Sequence, residues 1–111
     1  MKYRIMDTLT LKAELASKSV ILIDVRDSDV FECEHIPGAV SIPLAQLPGH
    51  IDQALRKPSR IVVYSGSCLC DGASRAAERL TRMGYTNVWV YDAGIHGWKL
   101  AGLPTLSMAT A

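Results

Sequence analysis

Two stretches of branched aliphatics, Val20-Ile21-Leu22-Ile23-Asp24-Val25 and Ile61-Val62-Val63-Tyr64, run without the strict alternation of a strand that is wet on one side. Short continuous apolar runs of this kind suit strands covered on both faces, as in a largely parallel sheet. A third run, Asn87-Val88-Trp89-Val90-Tyr91, follows Gly84-Tyr85, and Val40 to Ile42 adds a shorter candidate strand. Between these runs the period changes. Ala73 to Met83 places Ala76, Ala77, Leu80 and Met83 at spacings of three, four and seven, which is one face of a helix, and Gly84 stops it. Thr10 is a candidate cap for a helix over Leu11 to Ala16. Further helices are expected over Asp29 to Glu34, on the surface, over Gly49 to Leu55 and over Ile95 to Ala101. Strand, helix and strand in alternation predict an α/β fold of three layers, a mainly parallel sheet of about four or five strands flanked by helices.

Composition narrows the picture. With 111 residues, 49% of them hydrophobic, the chain is long enough for one core and too short for two, so it reads as a single domain over 1–111. Its core should run from about residue 5 to 105, with 106–111 a small polar tail expected to fray. The formal net charge is +1 and the charged residues are scattered, which gives no footprint for nucleic acid or for an anionic membrane surface. The start, MKYRIMDTLTLKAEL, lacks the apolar core of a secretory signal, and the longest apolar run, Val20 to Ile23, is far too short to span a bilayer. Three cysteines, two of them one residue apart at Cys68 and Cys70, make no disulfide framework, so a reducing, cytoplasmic setting is expected.

Three ordered segments carry a resemblance. Leu22-Ile23-Asp24-Val25-Arg26, then Phe31 and Glu34-His35-Ile36-Pro37-Gly38-Ala39, is similar to the Asp-x-Arg strand end and the His-Ile-Pro-Gly-Ala turn of the rhodanese family of sulfurtransferases. Ile61-Val62-Val63-Tyr64, leading through a loop into Ser74-Arg75-Ala76-Ala77, resembles that family's active-site strand, loop and helix. Gly84-Tyr85-Thr86-Asn87-Val88, then Asp92-Ala93-Gly94-Ile95, Trp98 and Ala101-Gly102-Leu103-Pro104, looks like its C-terminal signature. Together they span roughly residues 9 to 104. The resemblance implies a three-layer rhodanese-like fold and sulfane-sulfur transfer through a cysteine persulfide, with no cofactor and no metal. It further implies a small anionic sulfur donor such as thiosulfate, and a thiol- or cyanide-type acceptor or a protein persulfide partner.

Physical chemistry assigns most motif residues to structure. Asp24 and Arg26 at a strand end suit an ion pair that organises a loop, and His35 ahead of Ile-Pro-Gly suits a hydrogen-bonding strut for the turn. Trp98 is most simply a core anchor. Chemistry is expected in the loop from Ser65 to Ser74, because a strand that ends at the carboxyl edge of a parallel sheet and opens a helix surrounds that point with backbone N–H groups. Such a cradle stabilises a thiolate and an anionic persulfide. Candidate anion contacts are Ser65, Gly66, Ser67, Leu69, Asp71, Gly72, Ala73, Ser74 and Arg75.

The chain departs from the family where the nucleophile belongs. Members usually read Tyr-Cys at the strand's end, and here Ser65 follows Tyr64. A hydroxyl cannot form a persulfide. Three readings stay open: Cys68 or Cys70 carries the sulfur in a longer loop; Ser65 marks an inactive binding or regulatory module; or the paired thiols cycle through a disulfide or bind metal. Two thiols with no second ligand pair make an incomplete zinc site, and Cys33 reads as a small hydrophobe. The phosphatases of this fold separate cysteine and arginine by five residues. Here six residues lie between Cys68 and Arg75 and four between Cys70 and Arg75, so that chemistry is disfavoured.

Overall fold

In the computed structural model, residues 3–47 and 60–108 are described. The two aliphatic runs form β2 (Ile21–Asp24) and β4 (Ile61–Tyr64), adjacent and parallel, with Asp24 opposite Tyr64 at their carboxyl ends. Beside β2 lies β3 (Val40–Ser41), and beside β4 lies β5 (Val88–Tyr91). A short edge strand, β1 (Arg4–Met6), completes a five-stranded sheet in the order β1-β5-β4-β2-β3, every pair parallel. All four β4 residues are inaccessible, as a central strand covered on both faces requires.

Side chains alternate across that strand and seed two cores. Ile61 and Val63 pack with Ile23 and Val90 against Ala73, Ala76, Ala77 and Leu80 of α3 (Gly72–Arg82). Val62 and Tyr64 face the other way, packing with Leu11 of α1 (Thr8–Ala16) and Ile95 and Trp98 of α4 (Gly94–Leu100). Helices on both faces of a parallel sheet make the expected three layers. The predicted surface helix is α2 (Ser28–Cys33), which buries Phe31 and leaves Cys33 exposed.

α3 ends where the sequence indicated. Gly84 takes φ +98°, the Gly84 amide donates to Thr81 O and the Tyr85 amide to Leu80 O, a paired arrangement that satisfies two terminal carbonyls. Two expectations need correction, and one turn falls where no element was expected. The cap of α1 is Asp7, whose carboxylate accepts from the Thr10 amide at 2.8 Å, so the helix starts ahead of Thr10. A 3₁₀ turn over Leu44–Gln46 was not foreseen. The tail does not fray over 106–108: His35 and Leu106 exchange two backbone hydrogen bonds of 2.9 Å, and the Met108 amide donates to Glu32 O. The helix expected over Gly49–Leu55 lies outside the described residues. No helix among those described is long and apolar enough to cross a membrane.

Candidate functional site

The carboxyl ends of β2 and β4 meet at one edge of the sheet, where ligands of open α/β sheets bind. At the end of β2, fully buried Asp24 holds Arg26 directly: the guanidinium donates Nε–H to Oδ1 (3.0 Å) and Nη2–H to Oδ2 (2.7 Å), and the Arg26 amide donates to Oδ1 (2.9 Å). The same guanidinium reaches the carbonyl of Glu34 (2.6 Å) just past α2 and lies 5.8 Å from the centre of the Tyr64 ring. Burial opposes the charge on Arg26, but hydrogen bonding and attraction from Asp24 outweigh it and hold the guanidinium above its ordinary pKa. Burial first, then the neighbouring Asp24 carboxylate, pushes the Tyr64 phenol far above its usual value. It therefore stays neutral while it accepts from the Ile36 amide at 3.1 Å. His35 is buried, stacks on Phe31 with centroids 3.9 Å apart, and shares a 2.9 Å hydrogen bond between Nδ1 and Phe31 O. Asp24, Arg26 and His35 thus clamp β2, α2 and the following turn together.

At the end of β4 the chain leaves the core at Ser65. The carbonyls of Ser65 and Gly66 accept from the Ile95 and His96 amides (3.1 and 2.9 Å), so the start of α4 is bonded to the start of the loop. Gly94 makes this approach possible. Its φ is +66°, and a side-chain carbon there would stand 2.7 Å from Gly66 C, Ser65 O and Ser67 N, closer than such atoms ever come. Ser65 directs its hydroxyl at the first residue of α3, since a carbon added to Gly72 would lie 3.2 Å from Ser65 Oγ. The loop then turns: the Cys70 amide donates to Ser67 O (3.1 Å) and the Leu69 amide to Ser67 Oγ (3.2 Å). Those two N–H groups are spent inside the loop. The first turn of any α-helix leaves its leading amides free of intrahelical acceptors, here those of Gly72, Ala73 and Ser74. Asp71 precedes them without a side-chain capping bond.

Two clefts flank this loop. One, of about 550 Å³, is bordered by Val25, Arg26, Val30, Ser65, Gly66 and Cys70 among others. The other, of about 620 Å³, is bordered by Gly66, Ser67, Cys68, Leu69, Cys70 and His96. Cys70 borders both, and its Sγ lies over Gly66, 3.5 Å from where a side-chain carbon on that glycine would be. Cys68 borders only the second. The remaining predicted contacts fall elsewhere: Ala73 is buried in the core, Ser74 Oγ donates to Asp71 O, and exposed Arg75 pairs with Asp71 at 3.5 Å. Sequence reasoning missed His96, which reaches the loop only because its amide bonds Gly66 O, and Arg79, which borders the first cleft while donating to Leu44 O at 2.7 Å. Among the described residues no three His, Cys, Asp or Glu side chains gather as a metal site needs.

Comparisons with known proteins agree with this architecture. A family model described as "Rhodanese-like domain" matches residues 7–101. The thiosulfate sulfurtransferase GlpE of Pseudomonas syringae is 33% identical over 86 residues, which cover 77% of this chain and 77% of that protein. The HTH-type transcriptional regulator Rv0324 of Mycobacterium tuberculosis is 36% identical over 102 residues, taking in 88% of this chain and 44% of that protein. This chain spans about half the length of the first curated relatives it matches. The crystal structure of the BH2092 protein from Bacillus halodurans superposes with a TM-score of 0.88 at 27% identity, over 96% of this chain and 78% of that one. The chain belongs to the rhodanese-like domain family.

Proposed function

We propose that this domain is a sulfurtransferase that moves sulfane sulfur from thiosulfate or a persulfide donor to a thiophilic acceptor through a persulfide on Cys70. The supporting observation is that Cys70, alone of the three cysteines, borders the cleft that Ser65 and Arg26 also border. The Cys70 thiolate attacks the outer sulfur of thiosulfate; the S–S bond of the donor breaks and sulfite leaves with its electron pair. An acceptor such as cyanide then takes the terminal sulfur and returns the thiolate. The free amides at the start of α3 and the positive end of its dipole favour the anionic donor and the persulfide. Ser65, beside Gly72, donates a hydrogen bond to the same anion, and Asp24 and His35 keep the cleft's walls in place. No cofactor takes part, the partners are small anions and thiols or a protein persulfide, and the setting is the reducing cytoplasm.

The competing reading is a binding or regulatory module that has lost its nucleophile. It draws on Ser65, a hydroxyl directly after β4 that lies beside Gly72 at the start of α3. Thiocyanate formation from thiosulfate and cyanide separates the two. Turnover that survives Cys68→Ala and disappears in Cys70→Ala supports the transfer reading. No thiocyanate from the unaltered protein supports the binding module, and equal turnover in both variants refutes the assignment to Cys70.

A further inference from the structure

Cys70 faces a second cleft, and the other thiol on that cleft's wall is Cys68. Both are free and exposed. The turn closed by the Cys70 amide on Ser67 O bends the chain between them, and Leu69 at its tip is 93% exposed. Consecutive Cα atoms are ~3.8 Å apart, so two residues separated by one in a bent segment fall within the ~4.4–6.8 Å that a disulfide spans.

We propose that Cys68 is a resolving thiol built into the loop, so that the domain can discharge its sulfur as hydrosulfide without an external acceptor. This rests on the persulfide reading of Cys70 and extends it. In the step, the Cys68 thiolate attacks Cys70 Sγ. A Cys68–Cys70 disulfide forms, the bond from Cys70 Sγ to the terminal sulfur breaks, and that sulfur leaves with the bonding pair and takes a proton from water. The sulfane sulfur is reduced to sulfide and the two thiols are oxidised to the disulfide, so no other oxidant is needed. A small dithiol reductant restores the loop. Exposed disulfides of this kind are readily reduced and serve catalytic or regulatory roles.

The test uses the full chain carrying Cys33→Ala, which leaves only the loop thiols, treated with thiosulfate and no acceptor while sulfite, sulfide and intact mass are followed. The expected result is sulfide appearing one for one with sulfite, and a chain that has lost two hydrogens with Cys68 joined to Cys70 by peptide mapping. Adding Cys68→Ala should leave the chain carrying one extra sulfur and reduce sulfide release at least about tenfold. A parent chain that releases sulfite yet keeps the extra sulfur, with no sulfide, overturns the proposal. A second arm, the two-electron thiol oxidant diamide, should drive the same intrachain pairing. Failure to pair there while sulfite is still released sinks the resolving step alone, whereas absence of sulfite from every variant sinks the persulfide reading and this step together.

Discussion

β2 and β4 lie side by side with Asp24 opposite Tyr64, yet their ends are built in opposite ways. Beyond β2, Asp24, Arg26 and Tyr64 are packed so that each polar group has a partner: carboxylate to guanidinium, guanidinium to Glu34 O, phenol to the Ile36 amide. Beyond β4, once Ser65 and Gly66 have bonded to α4, the helix start has no side-chain cap, two thiols are exposed, and the Leu69 and Cys70 amides bond only back to Ser67. Satisfied buried polar groups fix a backbone, whereas unspent donors and free thiols are what an anion or a sulfur atom can use. On the proposed reading, the two neighbouring strand ends divide stability and reactivity between them.

The comparison breaks first at its rigid end. Asp24→Ala leaves the Arg26 guanidinium without its carboxylate in a largely buried site, and removing one partner of such a pair costs ~3–5 kcal/mol. Urea unfolding should show that loss, with a smaller drop in the thiosulfate-dependent gain of sulfur of the folded fraction, since Asp24 holds Arg26 in the wall of the cleft. A loss of sulfur loading with unchanged stability would place the corner in the chemistry instead. Next comes Gly94→Ala, which tests whether the two regions are joined through α4. A side chain at φ +66° against three backbone atoms of the loop costs ~1–3 kcal/mol and should shift Ser65 to Ser67, lowering both stability and sulfur loading.

How much of this division was legible beforehand depends on what each feature needs. The buried strands announce themselves as aliphatic runs, and α3 by its apolar spacing and its terminal glycine. β1 is three residues with two of them exposed, so Arg4 to Met6 carries too little pattern to detect. Thr10 reads as the cap because it directly precedes the apolar positions of α1; Asp7 lies three residues earlier, and only the backbone path decides which oxygen meets an amide. At the site, the hydroxyl of Ser65 in the strand-end position could be read directly. That Cys70 rather than Cys68 reaches the cleft beside it could not, since that follows from the 67–70 turn, and His96 arrives from a distant helix.

Smaller effects sharpen the picture. Glu34 receives hydrogen bonds from Lys99 (2.8 Å) and Thr105 (2.7 Å), which hold its carboxyl below the ordinary 4.5. A lowered folded pKa means a contribution fully present above about pH 4.5 and lost as pH falls through the folded value. The protection factor of the Leu106 amide, taken against the intrinsic exchange rate at each pH, should therefore fall in acid, and Lys99→Met should reproduce part of that at neutral pH, costing only ~0.2–1 kcal/mol because the pair is exposed. Smallest of all, Leu69→Ser at the loop tip should change stability by less than about 0.5 kcal/mol and leave sulfur loading intact.

The decisive experiment locates the sulfur atom. Cys68→Ala and Cys70→Ala proteins are incubated with thiosulfate, alkylated and digested, and the peptides carrying residues 68–75 are weighed. A sulfane sulfur retained on Cys70 in the first protein, and none on Cys68 in the second, is the expected result. Sulfur on Cys68 with Cys70 removed, or no sulfur on either residue, would contradict the assignment of the reactive end of β4 to Cys70.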